Sequence, residues 1–290
     1  RWYEVTGVQT CALPIWWTLL SISGRGYSRS ESRRTDIIMV RPVIAANWKM
    51  HKTIPEAVEF AKRLKEEFSE AGDVEIVLAP PFTSLRPVAD VLKDSSIHLA
   101  AQNMHWEEKG AYTGEISAAM LIDAGCEFVI VGHSERRTLF GETDTILNRK
   151  ISAALKSGLK PIFCIGETLE ERESGATFHI IKKQIKEGLN NIPSDDIRHV
   201  AFAYEPVWAI GTGKTATPVQ AQEVHSFIRK TIADDLAYAH ASETVIMYGG
   251  SVNPENAGSL MNQPDINGAL VGGAALNFGS FGSIIKMLTR

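Results

Sequence analysis

Three side chains able to move protons or stabilise charge stand close behind short apolar runs in this chain: Lys49 behind Val43–Asn47, His133 behind 128–132 and Glu205 behind 200–203. A carboxylate can act as a general base, an imidazole can donate to a carbonyl oxygen, and a fixed cation can stabilise the anion that forms. Each alone has an ordinary structural role: a hydrogen-bonded strand-end histidine, a snorkelling lysine or a solvated loop carboxylate. Brought to one mouth they share no structural purpose, and together they favour an active site. Two glycine pairs, Gly249-Gly250 followed by Ser251 and Gly272-Gly273, stand behind later apolar runs. Without a Cβ their backbone N–H groups can approach phosphate oxygens closely, with the Ser251 hydroxyl as a further donor. The segment from Pro206, Val207 and Trp208 through Gly211 and Gly213 to Lys214 and Thr215 has a rigid entry and a glycine-rich far end, as a closing lid requires. Its Gly213-Lys214-Thr215 is not the end of a nucleotide-binding P-loop, because Trp208 stands where that motif needs its first glycine.

For these residues to meet, the chain must carry them on elements sharing one face. From Pro42 onward one unit recurs: a short apolar run, a polar or glycine-rich loop, and a stretch with helical spacing. The runs are Val43–Asn47, Glu75–Ala79, 97–102, 128–132, Lys160–Ile165, 200–203, 244–248 and Gly268–Val271. Helical patterns cover 55–71, 84–93, 116–124, 145–157, 177–190, 218–239, Pro254–Met261 and 281–288. Pro55 and Pro218 suit first-turn positions, and Gly158 suits a left-handed helix end. Unbroken apolar runs predict strands buried on both faces, as in a parallel sheet flanked by helices. Eight such units predict an α/β fold, a single (β/α)8 barrel over residues 40–290, in which chemistry gathers at the carboxyl ends of the strands. A doubly wound open sheet is disfavoured, since the turn after the first run reads Asn47-Trp48-Lys49-Met50 without a glycine.

The 290 residues carry a net charge of −4, with 44% hydrophobic and 22% charged residues. This excludes a disordered chain and gives no bulk charge for nucleic acid or an anionic membrane. Cys11, Cys126 and Cys164 are too scattered for a disulfide framework, no metal-ligand spacing occurs, and the longest apolar run is too short to span a bilayer. No metal and no cofactor is expected, and a reducing, cytoplasmic setting fits best. Residues 1–39 differ in composition, with Trp2, Trp16 and Trp17 and five arginines against three acids. They are expected to be disordered or loosely packed, foreign to the protein ahead of a start at Met39, and without part in the chemistry. An organelle leader over 1–38 is the weaker reading, since Glu4 and the Trp-rich start fit it poorly.

Four segments together, Asn47-Trp48-Lys49-Met50, 132–137, 203–214 and 248–253, resemble the triosephosphate isomerase family, and the likeness runs from about Val40 to Arg290. The resemblance implies a cofactor-free interconversion of dihydroxyacetone phosphate and glyceraldehyde 3-phosphate through an enediolate, in glycolysis and gluconeogenesis. It makes Glu205 the proton-transferring base and His133 a neutral electrophile beside a helix N-terminus, a pairing for which this family is the standard illustration. Lys49 supplies the positive charge, with Asn47 as a neighbouring donor and Glu135 orienting the lysine. Gly211, Ser251 and Gly273 hold phosphate through backbone N–H groups, and Gly272 permits close approach. The shut lid is held by Tyr248 with Ala216 and by Ser251 with Gly213. The loop from Gln102 to Glu115, with Thr113 near its tip, is implied to enter the second subunit of a homodimer. Cys126 and Cys164 read as buried packing residues, His51 as a residue without assignable purpose, and residues 1–39 find no counterpart. Two rivals remain: a metal-dependent phosphosugar isomerase, which would want clustered His and Asp, and a non-catalytic barrel, which would want Glu205, His133 or Lys49 broken.

Overall fold

The structure, a computed structural model, describes residues 40–70, 72–210 and 215–289. Eight parallel strands close on themselves in sequence order: β1 (Val43–Asn47), β2 (Glu75–Ala79), β3 (Ile97–Ala101), β4 (Phe128–Val131), β5 (Lys160–Ile165), β6 (Ala201–Tyr204), β7 (Ile246–Tyr248) and β8 (Gly268–Val271). The last strand returns to the first, Ala46 opposite Val271, so the loops behind β1 and β8 are neighbours. Around the barrel run α1 (Ile54–Phe68), α2 (Leu85–Leu92), α3 (Ala118–Asp123), α4 (Ser134–Phe140), α5 (Asp144–Ser157), α6 (Leu169–Glu173), α7 (Thr177–Gly188), α8 (Pro218–Asp235), α9 (Pro254–Met261) and α10 (Phe278–Lys286).

The strands are buried on nearly every residue, as their unbroken apolar runs require. One set of side chains, including Ala45, Val77, Ile130, Ile162, Ala203 and Met247, fills the barrel, while the alternate set meets the helices in a larger core. Pro55 and Pro218 open α1 and α8 within capping boxes built on Thr53 and Thr217, and Gly158 ends α5 with φ 85°.

The expected bounds shift where local chemistry outweighs apolar pattern. Strand three stops at Ala101, because Gln102 turns its amide onto the carbonyls of Lys49 and Ala79, at 2.9 and 2.8 Å. Strand six runs on through Tyr204, and the run at 244–248 shortens to Ile246–Tyr248. The first helix ends at Phe68 rather than 71, and the pattern over 218–239 stops at Asp235. Helices α4 and α6 were not expected; at seven and five residues they are too short to show a period.

Candidate active site

The loop behind β1 places Asn47 at the strand's end, with Trp48 packed inward and Lys49 facing the barrel mouth. Lys49 adopts φ 52°, a left-handed conformation that costs an L-residue energy and persists only where neighbours over-determine it. Three bonds do so. Asn47 Oδ1 accepts the Lys49 N–H at 3.0 Å, the Gln102 amide donates to the Lys49 carbonyl, and Lys49 Nζ donates to Glu135 Oε1 at 2.6 Å. That ion pair is partly exposed, so its value lies in aim more than in stability.

Behind β4, Gly132 turns with φ 78° and His133 caps α4. The Glu135 N–H donates to His133 Nδ1 at 3.2 Å, so in the neutral ring the proton sits on Nε2. Nε2 lies 3.1 Å from Glu205 Oε1, an approach whose angle falls short of a hydrogen bond. Glu205 follows β6 directly and is 1% exposed. Its Oε2 accepts the Ser134 N–H at 2.7 Å, while Oε1 has no full hydrogen-bond partner. The Cys164 thiol, opposite Ala203 in the β5–β6 register, is pushed well above the ordinary thiol range by burial and then by the carboxylate beside it. Cys164 and Cys126 are both buried free thiols, with Cys126 pushed up to about 12 by burial.

A cavity of about 560 Å³ opens between these loops, walled by Asn47, Lys49, His133, Glu135, Gly249, Gly250, Ser251, Gly272 and Gly273. Glu205 is absent from its walls: bonded to Ser134, the carboxylate stands behind them. The glycines have a second reason to lack side chains. A Cβ on Gly249 would lie 2.8 Å from Glu205 Cγ, and one on Gly250 2.3 Å from the Tyr248 hydroxyl. Gly272 sits against Lys49, whose Cε would be 3.4 Å from an added Cβ.

Pro206 and the 3-10 turn Val207–Ala209 begin the expected lid, whose Gly211, Gly213 and Lys214 lie outside the described residues, as does everything up to residue 39. The entry is anchored to Glu167, whose Oε1 accepts from Trp208 Nε1, Tyr204 Oη and Arg172 at 2.9, 3.0 and 3.0 Å. Burial and then that carboxylate push the Tyr204 phenol far above its usual value. Thr215 is exposed and Ala216 buried, its N–H against the Tyr248 oxygen without closing a full hydrogen bond. Burial pushes the Tyr248 phenol up to about 12. Thr113 is exposed in the loop between β3 and α3 and is not among the residues that line this cavity.

Four contributors escaped sequence reasoning. Ser134 serves through its backbone N–H, which any residue there could offer. Glu167 stands two residues behind β5, as Lys49 does behind β1, where the same rule would have flagged it, whereas Gln102 was hidden because the apolar run was read through it. His51, read as purposeless, lines the cavity. Among the described residues no group of three or more His, Cys, Asp or Glu is gathered as a metal site needs, and no helix is long and apolar enough to cross a membrane.

Residues 42–288 match the family described as triosephosphate isomerase. Curated relatives named triosephosphate isomerase, from Geotalea uraniireducens, Geobacter metallireducens and Endomicrobium trichonymphae, are each 54% identical, over 86% of this chain and 99% of the relative. The chain belongs to the triosephosphate isomerase family. It is thus an isomerase on a TIM barrel. The match to the triosephosphate isomerase family begins at residue 42 and leaves the segment up to 39 outside it.

Proposed function

We propose that this enzyme interconverts dihydroxyacetone phosphate and D-glyceraldehyde 3-phosphate, a step of glycolysis and gluconeogenesis, without metal or cofactor. The observation that carries the reading is one cavity lined by Lys49, His133 and the glycines behind β7 and β8, with the Glu205 carboxylate directly behind its wall, 3.1 Å from His133 Nε2. Glu205 takes a proton from the carbon beside the carbonyl, leaving the electron pair to form the carbon–carbon double bond of an enediolate. The Nε2–H of His133 donates to the carbonyl oxygen as charge gathers there, and Lys49, with Asn47 beside it, stabilises that charge. The hydroxyl proton passes by way of His133 Nε2 from one oxygen to the other, the carboxyl group returns its own proton to the neighbouring carbon as the new carbonyl closes, and the aldose becomes the ketose or the reverse. Gly273, Ser251 and Gly211 hold the phosphate by N–H groups, with Gly272 admitting it.

Glu205 does this only after leaving Ser134, since its present position is behind the wall. The lid begins one residue later at Pro206, so closure and the swing of the carboxylate are one motion, and closure keeps water from the enediolate. In the shut state Ala216 N–H bonds the Tyr248 hydroxyl and Gly213 bonds Ser251. Residues 40–290 are the catalytic domain, and the segment 1–39 has no part in the reaction.

The enzyme works as a homodimer in the cytoplasm. Met50 (95% exposed), Phe82, Tyr112 and Met120 are exposed apolar residues behind the adjacent strands β1, β2 and β3, where a monomer gains nothing by showing them. Tyr112 stands next to Thr113 in the loop between β3 and α3, and Met50 next to Lys49, so a partner covering them would steady Lys49.

A coupled assay for conversion of glyceraldehyde 3-phosphate, with EDTA present, on chains beginning at Arg1 and at Met39, tests the reading. Fast turnover in both is expected. Silence in both chains while they remain folded sinks it in favour of a non-catalytic barrel, and loss of turnover with EDTA transfers the case to the metal-dependent rival.

A further inference from the structure

Lys52 is the second lysine of the loop behind β1, and it does not face the cavity. Its backbone is left-handed, with φ 71°, although no glycine or asparagine stands there to make that conformation easy. The side chain accounts for it. Lys52 Nζ donates to the Leu276 carbonyl at 3.0 Å and sits over two aromatic rings, 4.7 Å from the centre of Phe60 and 5.3 Å from that of Trp48. The half-buried ammonium is partly stripped of water, and its pKa is lowered by that burial against the nearby Glu56 charge, so its direct bonds replace hydration.

Both ends of this tie belong to the catalytic mouth. Leu276 closes the 3-10 turn Gly273–Leu276, whose head is the glycine assigned to phosphate, and Gly272, Gly273 and Leu276 all line the cavity. Trp48 is the residue before Lys49, and its ring meets Phe60 edge-on at 5.1 Å. Phe60 in turn meets Phe278 at 5.6 Å, two residues beyond Leu276. The ammonium therefore lies on an aromatic cluster shared by the loop behind β1, α1 and the start of α10, and bolts to it the far end of the turn behind β8.

We infer that Lys52 is a positioning residue that fixes the phosphate-binding turn behind β8 relative to Lys49, so that phosphate and reacting carbonyl are gripped at a set separation. This rests on the reading above that phosphate is held at Gly272-Gly273. The alternative is a surface tie that contributes to folding alone.

Competitive inhibition by inorganic phosphate, with KM and kcat for glyceraldehyde 3-phosphate, separates the two in the full chain and in Lys52→Met, Lys52→Arg and Lys52→Gly. Losing a charged hydrogen bond and its alignment should weaken phosphate inhibition and raise KM by about five- to tenfold in Lys52→Met, with kcat within about twofold. Lys52→Arg, which keeps a cation able to reach the carbonyl, should recover most of the loss. Lys52→Gly removes the tie together with the left-handed strain, so its melting temperature should hold while phosphate inhibition weakens as in Lys52→Met. Phosphate inhibition and KM unchanged in both Lys52→Met and Lys52→Gly would overturn the inference. Failure of phosphate to compete in the unmodified enzyme would instead remove the phosphate reading, and the inference with it.

Discussion

At the scale of single residues the chemistry rests on aim. Glu205 is held by Ser134 N–H and packed beside Cys164, His133 and Gly249, so the length of its side chain decides where the carboxylate arrives. Glu205→Asp draws the carboxylate back by one methylene and should lower kcat by about 10²- to 10³-fold with little change in KM, since a misplacement near 1 Å can cost about 10²-fold. Steady-state kinetics on that variant decide the point: near-normal turnover removes Glu205 as the base. Lys49→Met deletes the cation at the mouth and should cost at least about 10²- to 10³-fold in kcat/KM, the usual scale for a lost electrostatic donor. A Lys49→Met enzyme retaining most of its activity refutes the electrostatic role.

At the scale of elements, what matters is how closely neighbouring strands and loops bring their ends. The β6 end holds Glu205 and the β7 end holds Gly249, with room between them only because Gly249 has no side chain. Gly249→Ala should crowd the Glu205 side chain and misplace its carboxylate, lowering kcat by about 10²-fold while costing about 1–3 kcal/mol in stability. Activity and urea midpoint measured together check this, and a folded variant with full turnover contradicts it. The same crowding explains Gly166, where a Cβ would fall 1.7 Å from the Glu205 carbonyl oxygen. At the lid's entry, Glu167 gathers Tyr204, Trp208 and Arg172 into one buried knot, so the hinge starts from a rigid base.

At the scale of the whole molecule, two properties follow from burial. His225 on α8 is fully buried between Tyr204 and Tyr248, with Arg229 and Asp265 near it and Nε2 unpartnered. Burial lowers its pKa from 6.5 to about 3. A histidine whose folded pKa is depressed favours the fold while neutral. Its contribution is complete above pH 6.5 and is lost as pH falls from there toward about 3, at up to about 1.4 kcal/mol per pH unit. Urea midpoints at pH 7 and 5 should therefore fall more for the parent than for His225→Gln, and equal falls would dismiss His225 as the cause. The second belongs to the proposed homodimer, in which exposed apolar residues become buried: Tyr112→Asp, placing a charge on that loop, should yield a monomer with much reduced turnover. Sedimentation with a parallel assay checks both, and an unaltered, fully active dimer denies the interface.

What the sequence determined by itself was everything written in short-range pattern. Bounds of β1, β2, β5 and β8 follow residue for residue from apolar runs ended by polar residues or glycine, because a strand buried on both faces tolerates nothing else. The start of α8 at Pro218, and that of α1 at Ile54, one residue before the expected Pro55, follow from their caps for a similarly local reason. The order of units implied the barrel, and the barrel implied that Lys49, His133 and Glu205 share one end. Only the tertiary structure decided where their atoms stand: the Ser134 N–H under Glu205, the Gln102 amide on Lys49, and the Lys52 ammonium bridging to Leu276 across 224 positions of chain. Backbone donors leave no trace in residue type, and contacts between sequence-distant loops arise only when the closed sheet brings its strand ends together.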